Sequence, residues 1–213
     1  MKIGIIGSGH VGRGVAALAL SAGHDVMISN SRTPRSLFTT VGLLQLQTRN
    51  GGSVAAGTAA EAASFGEIVL VAVPLYALND IPVSPMTGKI VIDANNYYPD
   101  RDGQIPALDR GDTTAGELLA HRLPQSRIVK AFSAIPAFDL DKGLPSGTLN
   151  RRAQPIAGDD IEAKAVVAKL LDQFGFDAVD AGPLKEGRLF QPDTPAYCIP
   201  LNTKQLQETL GIA

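Results

Sequence analysis

Three glycines near the start of the chain have the spacing of a phosphate-binding loop. Residues 7–12 read G-S-G-H-V-G, which is the pattern G-x-G-x-x-G. In such a loop the first glycine permits a tight turn, the second lets the backbone approach a pyrophosphate, and the third lets a helix pack closely on a strand. The alternative is a glycine-rich turn without a ligand. The residues that we expect to contact a dinucleotide pyrophosphate are Gly7, Ser8, Gly9, His10, Val11 and Gly12.

The end of the second predicted strand lacks the acid that NAD-binding folds place there. That acid lies about 20 residues beyond the glycine loop and holds the ribose 2′-hydroxyl. Here Asn30, Ser31 and Arg32 occupy the position, and Arg35 follows. A carboxylate would repel a 2′-phosphate, whereas a guanidinium forms a charge-assisted contact with it. These residues indicate an NADP(H) site; the alternative is a solvated basic loop.

Two further strand ends are candidates for the nicotinamide end of the site. Ligands of doubly wound sheets lie outside the carboxyl ends of the strands. Val73 and Pro74 end the fourth strand, where an apolar turn could support the nicotinamide. Asn95 ends the fifth and could hydrogen-bond the ribose or the carboxamide, while for Asn96 a plain turn role is equally good.

Residues 95–113 and 133–153 form two long predicted loops at strand ends, and both mix aromatic or apolar residues with polar ones. Loops of this length in a compact domain are usually functional or disordered. This mixture favours a pocket or lid, with surface packing or a subunit interface as the alternative.

The sequence offers no convincing general acid or base. Lys130 lies inside a predicted strand and Asp93 ends another, so both are interpreted as structural. We therefore predict no catalytic side chain and no metal site. Hydride transfer between two stacked rings needs positioning and a dry slot more than acid–base chemistry.

Strand-like and helix-like segments alternate along most of the chain, which predicts an α/β fold with a doubly wound, mostly parallel sheet. Capping boxes at Thr58 and Thr114 and a cap at Asp159 or Asp160 mark three helix starts. We predict a single domain over 1–213, with a Rossmann core at 1–153 and a small α/β extension at 154–213. The predicted strands are 2–6, 25–29, 53–56, 67–73, 89–94, 127–132, 154–158 and 176–181, with helices at 12–22 and 34–48 and a short one around 206–210.

Composition is that of an ordinary globular protein of 213 residues, with 45% hydrophobic residues and a net charge of −2. This charge implies no general attraction to nucleic acid or to an anionic membrane. The longest apolar run is too short to span a bilayer. The lone cysteine, Cys198, cannot form an internal disulfide, and the expected setting is the reducing cytoplasm.

The segments GIIGSGHVG, SNSR, VLVAVP, KIVIDANN and VKAFSAI, and more loosely PIAGDD and FDAVDAGPL, resemble the NADPH-dependent reductases of the deazaflavin coenzyme F-420, also written F420. The cytosolic domain of six-transmembrane ferric reductases has a similar fold. The resemblance covers roughly residues 1 to 184 and implies hydride transfer between NADPH and a flavin-type ring, such as coenzyme F420 or FMN, in a homodimer.

By position, the resemblance places Ala131, Phe132 and Ser133, together with Ala134, at the nicotinamide. Family members often have Asn where this chain has Ser133, so the contact with the acceptor differs here. The tail at 191–197 either closes over the acceptor or packs on a partner subunit.

The sequence leaves two other functions open. One is an imine or hydroxyacid reductase acting on a small organic substrate, although those families complete the site with a helical dimerisation domain that this sequence does not show. The other is a non-enzymatic NADPH-binding module that reports redox state to a partner, with the long loops as contact surfaces. The function that the resemblance implies is hydride transfer between NADPH and a small-molecule redox acceptor.

Overall fold

A computed structural model describes residues 1–48 and 50–212 of the chain. Its eight strands form a sheet in the order β3-β2-β1-β4-β5-β6-β7-β8. The strands are β1 (Lys2–Ile6), β2 (Asp25–Ser29), β3 (Val54–Ala56), β4 (Ile68–Val71), β5 (Ile90–Asp93), β6 (Arg127–Lys130), β7 (Ala153–Gly158) and β8 (Asp177–Asp180).

Six of the seven strand pairs are parallel, and β7 runs antiparallel to β6. Strands β4 and β5 are buried along their whole length, as expected for parallel strands covered on both faces. The predicted doubly wound, mostly parallel α/β fold is therefore confirmed.

The helices begin largely where the capping signals predict. Thr58 and Thr114 both form complete capping boxes with the glutamate three residues later, and Asp160 caps its helix by accepting a hydrogen bond from the amide of Ala163. The helices are α1 (His10–Ser21), α2 (Phe38–Gln45), α3 (Ala59–Phe65), α4 (Pro99–Asp102), α5 (Pro106–Asp109), α6 (Ala115–Arg122), α7 (Ile161–Gln173) and α8 (Thr203–Leu210).

The predicted helix at 34–48 is wrong in its continuity. A 3₁₀ turn at Pro34–Leu37 comes first, and α2 follows for eight residues. Thr39, Thr40 and Val41 are β-branched and Gly42 is flexible, so helix propensity in this segment is low. The two long predicted loops also carry local structure, namely α4 and α5 in the first and a 3₁₀ turn at Ala137–Lys142 in the second.

Two apolar layers cover the sheet. One holds α1, α2 and α7, and the other holds α3, α6 and several 3₁₀ turns. A third, smaller cluster joins β7, β8 and α8. Buried Arg151 links α7 to β8, because its guanidinium lies 2.8 Å from Asp172 on α7 and 3.4 Å from Asp177 on β8.

Candidate functional site

The order of the strands defines a crevice at the carboxyl ends of the central strands. From β1 the chain runs outward to β2 and β3, then returns to β4 on the other side of β1 and continues outward to β5 and β6. This reversal between β1 and β4 is the topological switch point at which ligands bind in doubly wound sheets. The glycine loop follows β1 and opens α1, so it lies at this point.

The outer glycines of the loop allow close backbone contact. Gly7 has a φ of +109°, and a Cβ built on it would lie 2.1 Å from the carbonyl oxygen of Ala72. A Cβ on Gly12 would lie 1.9 Å from the carbonyl oxygen of Gly7. Both glycines are therefore required by the fold itself, and they bring the start of α1 against the end of β1.

The middle glycine is different, because the fold does not require it. A Cβ on Gly9 would meet no atom within 4 Å, and its φ of −68° suits any residue. Gly9 is the N-cap of α1, and no side chain caps the helix. The first amides of α1 are thus available to an anion, while Gly9 and His10 are exposed and Ser8 and Val11 are half-buried.

The loop after β2 is shaped by its asparagine. Asn30 Oδ1 accepts a hydrogen bond from the amide of Arg32 at 3.0 Å, and Asn30 Nδ2 donates to Ser36 Oγ at 2.9 Å. Both ends of the Asn30 amide are used inside the loop, so its role in the structure is to hold the loop. Ser31, Arg32 and Arg35 are exposed. Over residues 1–48 and 50–212, neither arginine forms an ion pair with an acidic side chain.

The ends of β4 and β5 are joined through Asn95, which is 2% exposed. Asn95 Oδ1 accepts a hydrogen bond from the amide of Val73 at 2.8 Å. The next residue reaches β6, since Asn96 Nδ2 donates to the carbonyl oxygen of Ser133 at 2.8 Å. Val73 and Pro74 are half-buried beside this junction. The structure therefore brings together the predicted candidates from three strand ends.

Three buried polar atoms at this junction have no hydrogen-bond partner within the described chain. They are Asn95 Nδ2, Asn96 Oδ1 and Ser133 Oγ. Buried polar groups are normally satisfied, so these three atoms are candidates for contact with a bound ligand. Asn96 belongs to this cluster, and sequence reasoning gave it no preference over a plain turn. The sequence signal for its role is the pair of consecutive asparagines, Asn95 and Asn96, at the end of β5.

The remaining predicted residues, Ala131 and Phe132, do not present side chains to the crevice. They are 0% and 1% exposed, and the Phe132 ring packs on Phe174 with centroids 6.1 Å apart. Phe132 also has a φ of +59°, which turns the chain sharply after β6. We therefore expect residues 131–133 to act through their backbone and through the hydroxyl of Ser133.

A cavity of about 670 Å³ opens beside Asn96. Its wall combines the first long loop with the segment after β8. Among its lining residues are Asn96, Tyr97, Leu108, Lys130, Arg188 and Leu189. Its volume falls in the range of small-molecule sites. The second long loop, at 133–153, does not line this cavity.

Two titratable groups of the C-terminal tail stay protonated at neutral pH. Burial, together with the hydrogen bond to the Tyr98 hydroxyl, raises the pKa of Tyr197. Burial likewise raises the pKa of the Cys198 thiol. Neither group is therefore a general base or a thiolate nucleophile.

In the described part of the chain, no helix combines the length and apolarity needed to cross a membrane.

Comparison with known proteins finds relatives that match the segments forming this site. A family model described as "NADP oxidoreductase coenzyme F420-dependent" matches residues 2–97, which contain the glycine loop, the segment after β2 and Asn95. The F420-dependent NADP reductase of Methanothermobacter marburgensis is 28% identical over 225 residues, covering 100% of this chain and 97% of that protein.

Two further relatives differ in their extent. Metalloreductase STEAP3 of Rattus norvegicus is 33% identical over 196 residues, covering 88% of this chain but 35% of that protein. The chain thus spans about a third of the rat protein's length. A crystal structure of a hypothetical protein from Sinorhizobium meliloti superposes with a TM-score of 0.78 at 30% identity, covering 95% of each chain.

The open space at Gly9 gives a test of the loop. We expect Gly9→Ala to leave the free energy of unfolding within about 0.5 kcal/mol of wild type, because the added Cβ lies within 4 Å of no described atom beyond its chain neighbours. The same methyl would occupy the approach to a pyrophosphate, so the Kd for NADPH should rise by about tenfold or more. Thermal unfolding and calorimetric titration measure the two effects.

The matched control for this test is Gly42→Ala, at an exposed glycine in α2 whose Cβ also meets nothing within 4 Å. It should leave NADPH binding unchanged. Wild-type affinity in Gly9→Ala would contradict the assignment of the loop to the pyrophosphate.

Proposed function

We propose that the chain transfers hydride between NADPH and a flavin-type ring such as coenzyme F420 or FMN. The resemblance to coenzyme F420-dependent NADP oxidoreductases that its motifs indicate is confirmed by the family model over residues 2–97 and by the Methanothermobacter reductase. The chain is accordingly an NADP-dependent oxidoreductase, and the acceptor is the part that we propose. The metal chemistry in the name of the rat protein is not carried over, because this chain spans about a third of it.

The observation that carries the proposal is the position of the cavity. It adjoins Asn96, which belongs to the cluster of unpartnered polar atoms at the ends of β5 and β6. Leu108, Leu189 and Tyr97 give its wall apolar and aromatic surface, which suits a planar ring. A ring held there would lie beside the proposed nicotinamide position, and close placement of donor and acceptor is the main requirement of hydride transfer.

Different residues of the chain would bind different parts of NADPH, which supplies the hydride when bound. The first amides of α1 would bind the pyrophosphate. Ser31 and Arg32, with Arg35 near them, would hold the 2′-phosphate through a hydroxyl and guanidinium groups. Within residues 1–48 and 50–212, Asn95 and Ser133 offer one unpartnered buried group each, and they would orient the carboxamide or ribose of the nicotinamide half.

The assignment of the 2′-phosphate predicts a change in nucleotide selectivity. We expect Arg32→Asp to lower kcat/KM for NADPH by about tenfold to a hundredfold, because it removes a charge-assisted contact and adds repulsion. The value for NADH should change far less. Steady-state kinetics with both nucleotides measure the ratio.

Lys169→Asp is the control for this change in net charge, since Lys169 is exposed on α7. It should preserve the ratio between the two nucleotides. Equal losses of activity with NADPH and NADH in Arg32→Asp would remove the assignment.

The acceptor itself is tested by turnover. We expect NADPH to be oxidised in the presence of coenzyme F420 or FMN. The loss of nicotinamide absorbance measures this reaction. Turnover with imines or keto acids alone would support a reductase of small organic substrates instead. Tight NADPH binding without turnover on any of these acceptors, ferric chelates included, would support a redox-sensing module.

We also propose that the enzyme is a cytoplasmic homodimer. A groove of about 780 Å³ lies between α1, α2 and the 3₁₀ turn at Ala137–Lys142. Leu43, Leu46 and Phe138 line it and are 59%, 83% and 73% exposed. Exposed apolar surface of this kind supports a contact between protein surfaces, and a second copy of the chain is the partner that we propose.

Sedimentation equilibrium tests the dimer. We expect wild-type protein to sediment as a dimer and Leu46→Glu to shift it to monomer, because a carboxylate would be buried in the contact. Ile161→Glu, at an isoleucine that is 80% exposed on α7, should remain a dimer. A wild-type monomer at micromolar concentration would contradict this proposal.

A further inference from the structure

A pair of opposite charges is buried beneath the nicotinamide end of the crevice. Lys130 on β6 and Asp93 on β5 are partners in the strand register and are 1% and 0% exposed. Lys130 Nζ lies 3.1 Å from Asp93 Oδ2. Removing two charges from water is expensive, and replacing such a pair by apolar residues is often neutral or stabilising. Stability alone is therefore a weak explanation for this pair.

The other hydrogen bonds of the pair converge on one residue. Lys130 Nζ donates to the backbone carbonyl oxygen of Asn95 at 2.6 Å. The backbone amide of Asn95 donates to Asp93 Oδ1 at 3.0 Å. Lysine and aspartate thus hold Asn95 by both of its own backbone polar groups. Gly187 closes the arrangement from the other side, because a Cβ there would lie 2.7 Å from Lys130 Cδ.

The side chain of Asn95 is fixed in turn. Its Oδ1 accepts from the Val73 amide at 2.8 Å, which leaves Nδ2 buried without a partner in the described chain. A planar amide whose oxygen is held and whose backbone is clamped has one orientation for its free N–H group. That group lies at the junction where the strand ends meet.

We propose that the Lys130–Asp93 pair is a positioning device for the nicotinamide half of NADPH, acting through Asn95. The pair sets the backbone of Asn95, Val73 locks its amide, and Nδ2 donates to the carboxamide or ribose of the bound nucleotide. Lys130 is a positioning residue in this scheme, since Asn95 makes the contact. The inference rests on the proposed NADPH site.

The test compares two nucleotides that share the adenosine half. NADPH has both halves, whereas adenosine 2′,5′-bisphosphate has only the half that the glycine loop and Arg32 would recognise. The variant is the neutral pair Asp93→Asn with Lys130→Met, which leaves no buried unpaired charge. We expect its Kd for NADPH to rise by about tenfold and its Kd for the bisphosphate to stay within about twofold of wild type.

A double-mutant cycle shows whether the pair acts through Asn95. If it does, Asn95→Ala should raise the Kd for NADPH by a similar factor, and adding the neutral pair to Asn95→Ala should raise it little further. Full additivity of the two changes would overturn the proposal.

The matched control is a second half-buried ion pair away from the crevice, Lys164 on α7 and Asp180 on β8, with Nζ 2.8 Å from Oδ2. The variant Asp180→Asn with Lys164→Met should leave the affinity for both nucleotides unchanged. If the Lys130 neutral pair binds NADPH like wild type, or loses both nucleotides equally, the positioning role is wrong. If wild-type protein binds neither nucleotide, the proposed function itself fails.

Discussion

The nucleotide crevice depends on the contact between the start of α1 and the end of β1. Backbone meets backbone there, because a Cβ on Gly12 would lie 1.9 Å from the carbonyl oxygen of Gly7. The amide of Gly7 also donates to the carbonyl oxygen of Ser29 at 3.1 Å, which ties the loop to β2. Among the described residues no side chain caps α1, so its free amides and the positive end of its dipole face the place where a phosphate is expected.

The two halves of the proposed site achieve selectivity by opposite physical means. At the adenosine end, Ser31, Arg32 and Arg35 are exposed on a loop that Asn30 shapes, so their contacts are strong only when an anion is present and are screened by salt. At the nicotinamide end the polar groups are buried. There the low dielectric makes each hydrogen bond stronger and each unmade one more costly, so geometry decides the outcome.

Sequence alone predicts the features that depend on residues within a few positions of one another. These features are the alternation of apolar strands and helices, the two threonine capping boxes and the glycine loop, and the structure has them where they were predicted. The role of Asn96 could not be read in this way. Its partner Ser133 lies 37 residues further along the chain, and the two meet only because β5 and β6 are neighbours.

Local patterns are less informative about the length of an element and the direction of a side chain. Pro34 at a first helical position predicted one long helix over 34–48, but β-branched residues and Gly42 shorten it to eight residues. The contact of Asn30 with the cofactor stays a prediction from its position, and in the structure its Oδ1 and Nδ2 both form hydrogen bonds within the loop. Buried Ala131 and Phe132 show the same limit, because a motif gives the position of a residue in the chain and not the direction of its side chain.

Residues 191–198, which follow β8, return to the carboxyl ends of β5 and β6. The amide of Cys198 donates to the carbonyl oxygen of Ala134 just after β6, and the hydroxyls of Tyr197 and Tyr98 contact each other. Gln191 and Pro192, a few residues earlier, line the cavity beside Asn96. The segment after β8 thus forms part of the cavity wall. In the proposed reaction this wall would shape the slot in which a flavin-type ring lies against the nicotinamide, because hydride transfer between two rings depends on their close placement.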